Sequence, residues 1–179
     1  MKDVLIVVDM QKDFVDGALG TAEAVSIVSN VAARIERGIA NNETILFTRD
    51  THETQYMETQ EGHNLPVPHC ICGTEGWEII PQLRLFTDGR VVIDKPTFGS
   101  TELGEAMVTL NQETPIGKIT LIGLCTDICV ISNALLVKAF LPEIPMTVDA
   151  SCCAGVTPES HKNALSAMKM CQISVENES

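Results

Sequence analysis

A chain of 179 residues with 45% apolar side chains can bury a substantial core as one domain spanning 1–179, and it is too hydrophobic for intrinsic disorder. Its 24 acidic residues against 12 basic ones leave a formal charge of −12, which excludes nucleic acid as the main partner because phosphate binding needs clustered Lys and Arg. Seven cysteines, an odd number without the spacing of a small disulfide scaffold, read as reduced thiols of a cytoplasmic protein.

The first apolar run, "VLIVV" (Val4–Val8), is a β-branched stretch of the kind buried on both faces of a sheet. Asp9 closes it at once, so it is too short for the core of a leader peptide. From Thr21 to Ala40 the residues Val25, Val28, Val31, Ala32, Ile35 and Ile39 recur at helical spacing and predict one amphipathic helix. Short strands follow at Thr44–Thr48 and Arg90–Lys95, with Ser100 or Thr101 placed to cap a helix after the second of them. Lys118–Gly123 is a fourth strand, leading into a helix that begins near Asp127. That helix is broken by Asn133 and Lys138, so it does not span a membrane. Pro145–Ala150 is a fifth strand, and Thr157-Pro158 opens a last helix with a cap residue followed by proline at the first helical position. A short sixth strand lies in "CQISVE". Such alternation predicts a three-layer α/β/α domain around a mainly parallel, doubly wound sheet of about six strands.

In an open α/β sheet, ligands bind beyond the carboxyl ends of the strands. Asp9, Asp50 with His52, Asp94-Lys95, Cys125 with Cys129, and Asp149 all fall at predicted strand ends, hence on one rim. A cysteine in the first turn of a helix feels unpaired backbone N–H groups, which favour thiolate, and a nearby Lys favours it further. With Thr126 or Asp127 as cap, Cys129 takes that position as a nucleophile, and a neighbouring Asp can accept and return its proton. The alternative is a small buried hydrophobe, which is how most free cysteines behave. Cys125 lies in the turn itself and is read as supplying backbone; Cys152, Cys153 and Cys171 are read as packing residues.

Arg49–Glu75 breaks the rhythm with a long irregular stretch holding three of the four histidines. Asp50-x-His52 at a strand end plus His69 further on offers two nitrogens and carboxylate oxygen to a divalent ion, with Glu58, Glu61 and His63 between them. Cys70 and Cys72 offer thiolates instead, but a cysteine-rich structural site needs a second pair. A polar surface loop with solvated histidines is the other reading.

Together "VVDMQKDFVDGALG", "FTRDTHE", "PHCICGTEGWEIIP", "IDKPTFGST", "GLCTDICV" and "VDASCCAGVTPESHKNAL" resemble the isochorismatase-like cysteine hydrolases, and among them the nicotinamidases, over essentially the whole chain. The resemblance implies a Rossmann-like, isochorismatase-like fold and a catalytic triad of Asp9, Lys95 and Cys129. It implies a cis peptide bond between Leu124 and Cys125, aiming the N–H of Cys125, with that of Cys129, into an oxyanion hole. It assigns Asp50, His52 and His69 to a metal, zinc with manganese or iron as alternatives, and Glu61, with Glu58 second, as a further ligand. Phe14, Trp77 and Leu124 become substrate-binding residues, the two aromatic rings sandwiching a pyridine ring. The activity so implied is hydrolysis of nicotinamide to nicotinate and ammonia through a thioester, in NAD salvage (pyridine nucleotide biosynthesis). The partners implied are a small amide and further copies of the chain, as a homodimer or homotetramer, with no membrane. Two other readings stand beside it: a related hydrolase of another small amide or of an enol ether such as isochorismate, and a non-catalytic binding member of the fold. "KPTFGST" is shorter than the corresponding segment of the family, which alters one wall of the pocket.

Overall fold

The central strand shows why the sequence starts with an uninterrupted apolar run. In β1 (Lys2–Val8), Val4, Ile6 and Val8 face one helical layer and Leu5 and Val7 the other, and none is more than 1% exposed. A strand covered on both faces offers no side-chain position that reaches water, so no polar alternation survives. The computed structural model describes residues 1–178. Five more strands follow: β2 (Thr44–Asp50), β3 (Val91–Lys95), β4 (Ile116–Leu124), β5 (Met146–Ala154) and β6 (Ser174–Glu176). Their order is β3-β2-β1-β4-β5-β6, and every pairing is parallel.

On one side of the sheet lie α1 (Lys12–Val15), α2 (Ala22–Ser26) and α3 (Val28–Ala40), while α4 (Gln60–Asn64) sits in the loop after β2. α5 (Pro81–Arg84) completes the first layer, whose core includes Phe14, Val31, Ile35 and Leu83. The second layer comprises α6 (Thr101–Glu113), α7 (Ile131–Phe140) and α8 (Pro158–Met170), which bury Leu103, Met107, Val137, Leu165 and Met168. Caps start these helices where the sequence suggests. Ser100 Oγ accepts from Leu103 N at 3.1 Å, and Thr157 and Ser160 form a reciprocal capping box. Among the described residues no helix is long and apolar enough to cross a membrane.

Two expectations change here. The predicted helix Thr21–Ala40 is broken at Ile27 into α2 and α3, which resets the helical phase: Val25 is 52% exposed while Ala24 and Ile27 are buried. Asp149 is not at a strand end but inside β5. Leu121 pairs with Val148 and Gly123 already with Cys153, so the intervening residues of β5 bow out of the ladder. There Asp149 Oδ1 accepts from the Ser151 hydroxyl at 2.7 Å and from Asn177 Nδ2 at 3.0 Å, away from the reactive rim. Gly123 itself has φ +115° and lies so close to β1 that a Cβ would stand 2.1 Å from the Val8 carbonyl oxygen. Only glycine fits that approach. The chain changes direction between β1 and β4, and the crevice above their carboxyl ends is where such a sheet binds ligands.

Candidate active site and metal centre

Three adjacent strands and one turn deliver the reactive groups. Asp9 directly follows β1 with φ +48°, a conformation that L-residues adopt sparingly and that Asn and Asp tolerate better than most. Its Oδ1 accepts from the Thr48 hydroxyl at 2.6 Å, and its Oδ2 stands 2.6 Å from Lys95 Nζ, a contact that is ionic rather than an aligned hydrogen bond. Lys95, at the end of β3, is fully buried. Its ammonium also donates to Thr97 O at 3.2 Å, Asp50 Oδ1 at 3.3 Å and Cys129 Sγ at 3.4 Å. Lys95 thus links Asp9 and Cys129 to Asp50. Its neighbour Asp94 points away and forks with Arg49 at 2.7 and 3.1 Å.

The turn carrying Cys129 is not the ordinary helix start that the sequence suggests. The Leu124–Cys125 peptide bond is cis, and Thr126–Val130 wind a single π turn before α7. Neither Thr126 nor Asp127 caps it. Thr126 Oγ1 pairs with His161 Nδ1 of α8 at 2.7 Å, and the Asp127 carboxylate accepts from Val156 N at 3.1 and 3.2 Å, so both bind the turn to the segment after β5. Asn133, read from the sequence only as a polar break, is fully buried and does more. Its Nδ2 donates to Cys129 O at 2.8 Å and Phe98 O at 3.0 Å, and its Oδ1 accepts from Ser100 N at 2.9 Å. A lone Asn amid "VISNALLV" is the signal that could have found it.

Burial, reinforced by the Asp9 carboxylate, holds the Cys129 thiol well above its ordinary pKa, with Lys95 opposing. Burial and Asp9 both act toward the neutral thiol, against the thiolate that a helix-start cysteine beside Lys favours. Burial also raises Asp9 against the pull of Lys95. Burial alone would lower Lys95, but Asp9, with Asp50, outweighs it and keeps the ammonium charged. Burial together with Asp127 pushes the Cys125 thiol up to about 12, in keeping with a backbone role.

Beside this group, Asp50, His52, Glu61 and His69 each turn one ligand atom inward, all within 4.8 Å of one another. β2 supplies Asp50, and His52 follows it. Cys70–Cys72 run alongside, His52 N donating to Cys70 O at 3.0 Å and Cys72 N to His52 O at 2.8 Å, which brings His69 next to His52. Glu61 arrives on α4, which the sequence reading left as loop; Glu58 and His63 are exposed, Cys70 is buried and Cys72 exposed. His52 Nε2 lies 3.0 Å from Asp50 Oδ2 and 3.5 Å from Glu61 Oε1, and His69 Nε2 lies 3.6 and 3.7 Å from the same oxygens. Ligands at about 2.0–2.2 Å from a tetrahedral ion stand roughly 3.3–3.6 Å apart, and these four separations of 3.0–3.7 Å bracket that range. His52 Nε2 is buried without a hydrogen bond, and His69 Nδ1 donates to Val67 O at 2.8 Å, leaving its Nε2 lone pair facing the cluster. Burial alone would raise Asp50, but His52, His69 and Lys95 hold its carboxyl well below the usual range.

Cys129 and the four cluster residues line one cavity of about 650 Å³, together with Phe14, Leu19, Leu65, Phe98, Cys125 and Ile128. Phe14 stands 5.5 Å from the His69 ring. Trp77 does not line the cavity. Its ring lies under the Arg49 guanidinium at 3.5 Å, and its Nε1 donates to Thr51 Oγ1 at 2.9 Å, so the indole is spent on fastening its loop to the end of β2. The Leu124 side chain is likewise buried in the core, out of the cavity lining. Cys152 and Cys153 are buried as expected, whereas Cys171 is exposed in the turn after α8.

An α/β fold with this rim matches what is known of one family: the model for the Isochorismatase domain covers residues 3–178. The uncharacterized isochorismatase family protein PncA of Bacillus subtilis (strain 168) is 29% identical over 174 residues, 93% of either chain. The crystal structure of nicotinamidase/pyrazinamidase PncA from Bacillus subtilis superposes with a TM-score of 0.82 at 27% identity, covering 98% of this chain and 99% of that one. Pyrazinamidase of Pyrococcus horikoshii in complex with zinc gives 0.80 at 27% identity over 98% of each chain. N-carbamoylsarcosine amidase from Thermoplasma acidophilum gives 0.79 at 26% identity over 100% of this chain and 99% of that one. The chain belongs to the isochorismatase family and is a hydrolase of that family.

Proposed function

We propose that the protein is a cysteine-dependent amide hydrolase of small aromatic carboxamides, with nicotinamide as substrate. The observation that carries this reading is the Lys95 ammonium, within 3.4 Å of Asp9, Asp50 and Cys129 and hence shared between a thiol–carboxylate pair and a two-His, two-carboxylate cluster. Cys129 Sγ attacks the amide carbon as its proton passes to Asp9. Backbone N–H groups of Cys125 and Cys129 receive the developing oxyanion. Asp9 returns the proton to the nitrogen as the C–N bond breaks and ammonia leaves, giving a thioester. Asp9 then takes a proton from the attacking water, the acid departs, and the thiol is restored. Lys95 keeps Asp9 oriented and offsets the negative charge that passes to sulfur.

A divalent cation held by Asp50, His52, Glu61 and His69 would offer a coordination position to the ring nitrogen and so orient the carboxamide over the thiol. Two imidazoles and two carboxylates suit zinc, and manganese or iron accept the same donors; the zinc in the Pyrococcus horikoshii relative supports the first. The product would feed pyridine nucleotide salvage in the cytoplasm. A second reading, another small amide, is favoured by the position of Trp77, whose ring stacks with Arg49 and is not among the residues lining the cavity with Phe14.

Ammonia release from nicotinamide by purified protein, before and after chelation and with zinc restored, tests the reading. We expect metal-dependent release, and a kcat for Cys129→Ala lower by at least about 10³-fold. Undiminished turnover by a folded Cys129→Ala protein overturns the mechanism. Preference for a benzamide-type amide without a ring nitrogen overturns the orienting role and points to the second reading.

A further inference from the structure

We infer that Gln11 and Asp13 are positioning residues for the metal cluster, so that D-x-Q-x-D, from Asp9 to Asp13, is one brace holding the catalytic carboxylate and two ligand segments in register. The inference rests on the reading of the cluster as a metal centre.

Gln11 is fully buried and does not line the cavity. Its Oε1 accepts from Asp50 N at 2.7 Å, and its Nε2 donates to Asp50 O at 2.8 Å and to Trp77 O at 2.8 Å. The side-chain amide therefore clamps both backbone polar groups of a ligand residue, as a neighbouring strand would, and its two N–H groups are both used. Asp13 performs the equivalent task for the other segment. Its Oδ2 accepts from Cys70 N, next to His69, at 2.8 Å, and its Oδ1 accepts from Ala18 N at 3.3 Å. Cys70 has φ +46°, a backbone state that a non-glycine residue keeps only when its surroundings hold it. Room for this carboxylate exists because residue 76 is glycine: a Cβ there would lie 2.1 Å from Asp13 Oδ2. Lys12, between the two, turns outward to Asp16 at 3.2 Å. Neither Gln11 nor Asp13 reaches a ligand atom, so each acts only through the backbone of a residue that does, or of its neighbour.

The test measures zinc affinity by chelator competition on the full-length protein, with circular dichroism to establish folding. The variants are Gln11→Met, Asp13→Ala and Asp13→Asn, with Leu165→Ala as a core change in the opposite layer. Loss of partners that orient metal ligands weakens binding by about 10–100-fold. That loss is expected for Gln11→Met and Asp13→Ala, and not for Leu165→Ala. Asp13→Asn, whose amide oxygen still accepts from Cys70, should recover most of the affinity. Wild-type affinity in folded Gln11→Met and Asp13→Ala, or an equal loss in Leu165→Ala, overturns the inference. If Asp13→Ala does not fold, Gln11→Met decides with the same two outcomes. A wild type that binds no divalent metal removes the metal reading and this inference together, whereas a binding wild type with unaffected variants removes the inference alone.

Discussion

Four partners crowd the three protons of the Lys95 ammonium: Asp9, Asp50, the Thr97 carbonyl and Cys129. A buried charge so surrounded is held by its neighbours, and removing one partner leaves the others uncompensated. Burial and Asp9 push Cys129 toward the neutral thiol, raising its pKa. Modification of Cys129 by iodoacetamide should therefore accelerate about tenfold per pH unit from pH 7 to beyond pH 9, as the thiolate fraction grows. Peptide-resolved mass spectrometry separates it from the exposed Cys72 and Cys171; a plateau below pH 8 would mean a preformed thiolate. Asp9, Lys95 and Cys129 are legible in the sequence because each closely follows an apolar run. The protonation of Cys129 is not, since it depends on how completely distant elements cover it. The packing of Trp77 is hidden for a similar reason: nothing local reveals that Arg49 and Thr51 claim its ring.

At the scale of elements, the π turn is the part whose form no local pattern announces. The sequence marks the start of α8 plainly through Thr157 and Pro158, yet it does not announce that α8 packs on the turn and pairs His161 with Thr126. Burial lowers the His161 pKa, outweighing the attraction of Asp127. The fold thus favours the neutral imidazole, and unfolding releases a group with a pKa near about 6.5. Its contribution to stability is complete above that value and is lost as pH falls through the lower folded pKa. The excess in Tm of wild type over His161→Gln should accordingly be full at pH 8 and shrink on acidification below about 6.5. Growth of the excess in acid would show instead that Asp127 holds an imidazolium. The fourth member of the Asp50–His52–His69 cluster is equally nonlocal: Glu58 and Glu61 are equivalent in the sequence until α4 turns Glu61 inward.

For the whole molecule, strand–helix alternation was enough to predict three layers and the reactive rim, since each strand's apolar run states that both its faces are covered. The bowed segment of β5 and the break at Ile27 escaped because both are set by neighbours remote in sequence. The same topology bears on biosynthesis. β1 is made first and is among the most apolar elements, but one of its flanks pairs with β2 and the other waits for Ile116–Leu124. At about 5–20 residues per second, a ribosome leaves that flank and much of both faces open for many seconds. Nascent chains arrested with β4 still inside the exit tunnel should be cut readily by thermolysin, and chains with β5 emerged should resist. Protection already present with β1–β3 alone would mean the first half folds unaided. Until β4 emerges, then, the strand that later anchors the sheet is an exposed apolar edge open to wrong pairing, so a trigger-factor-like holdase should raise the yield of native protein and slower translation between β2 and β4 should lower it.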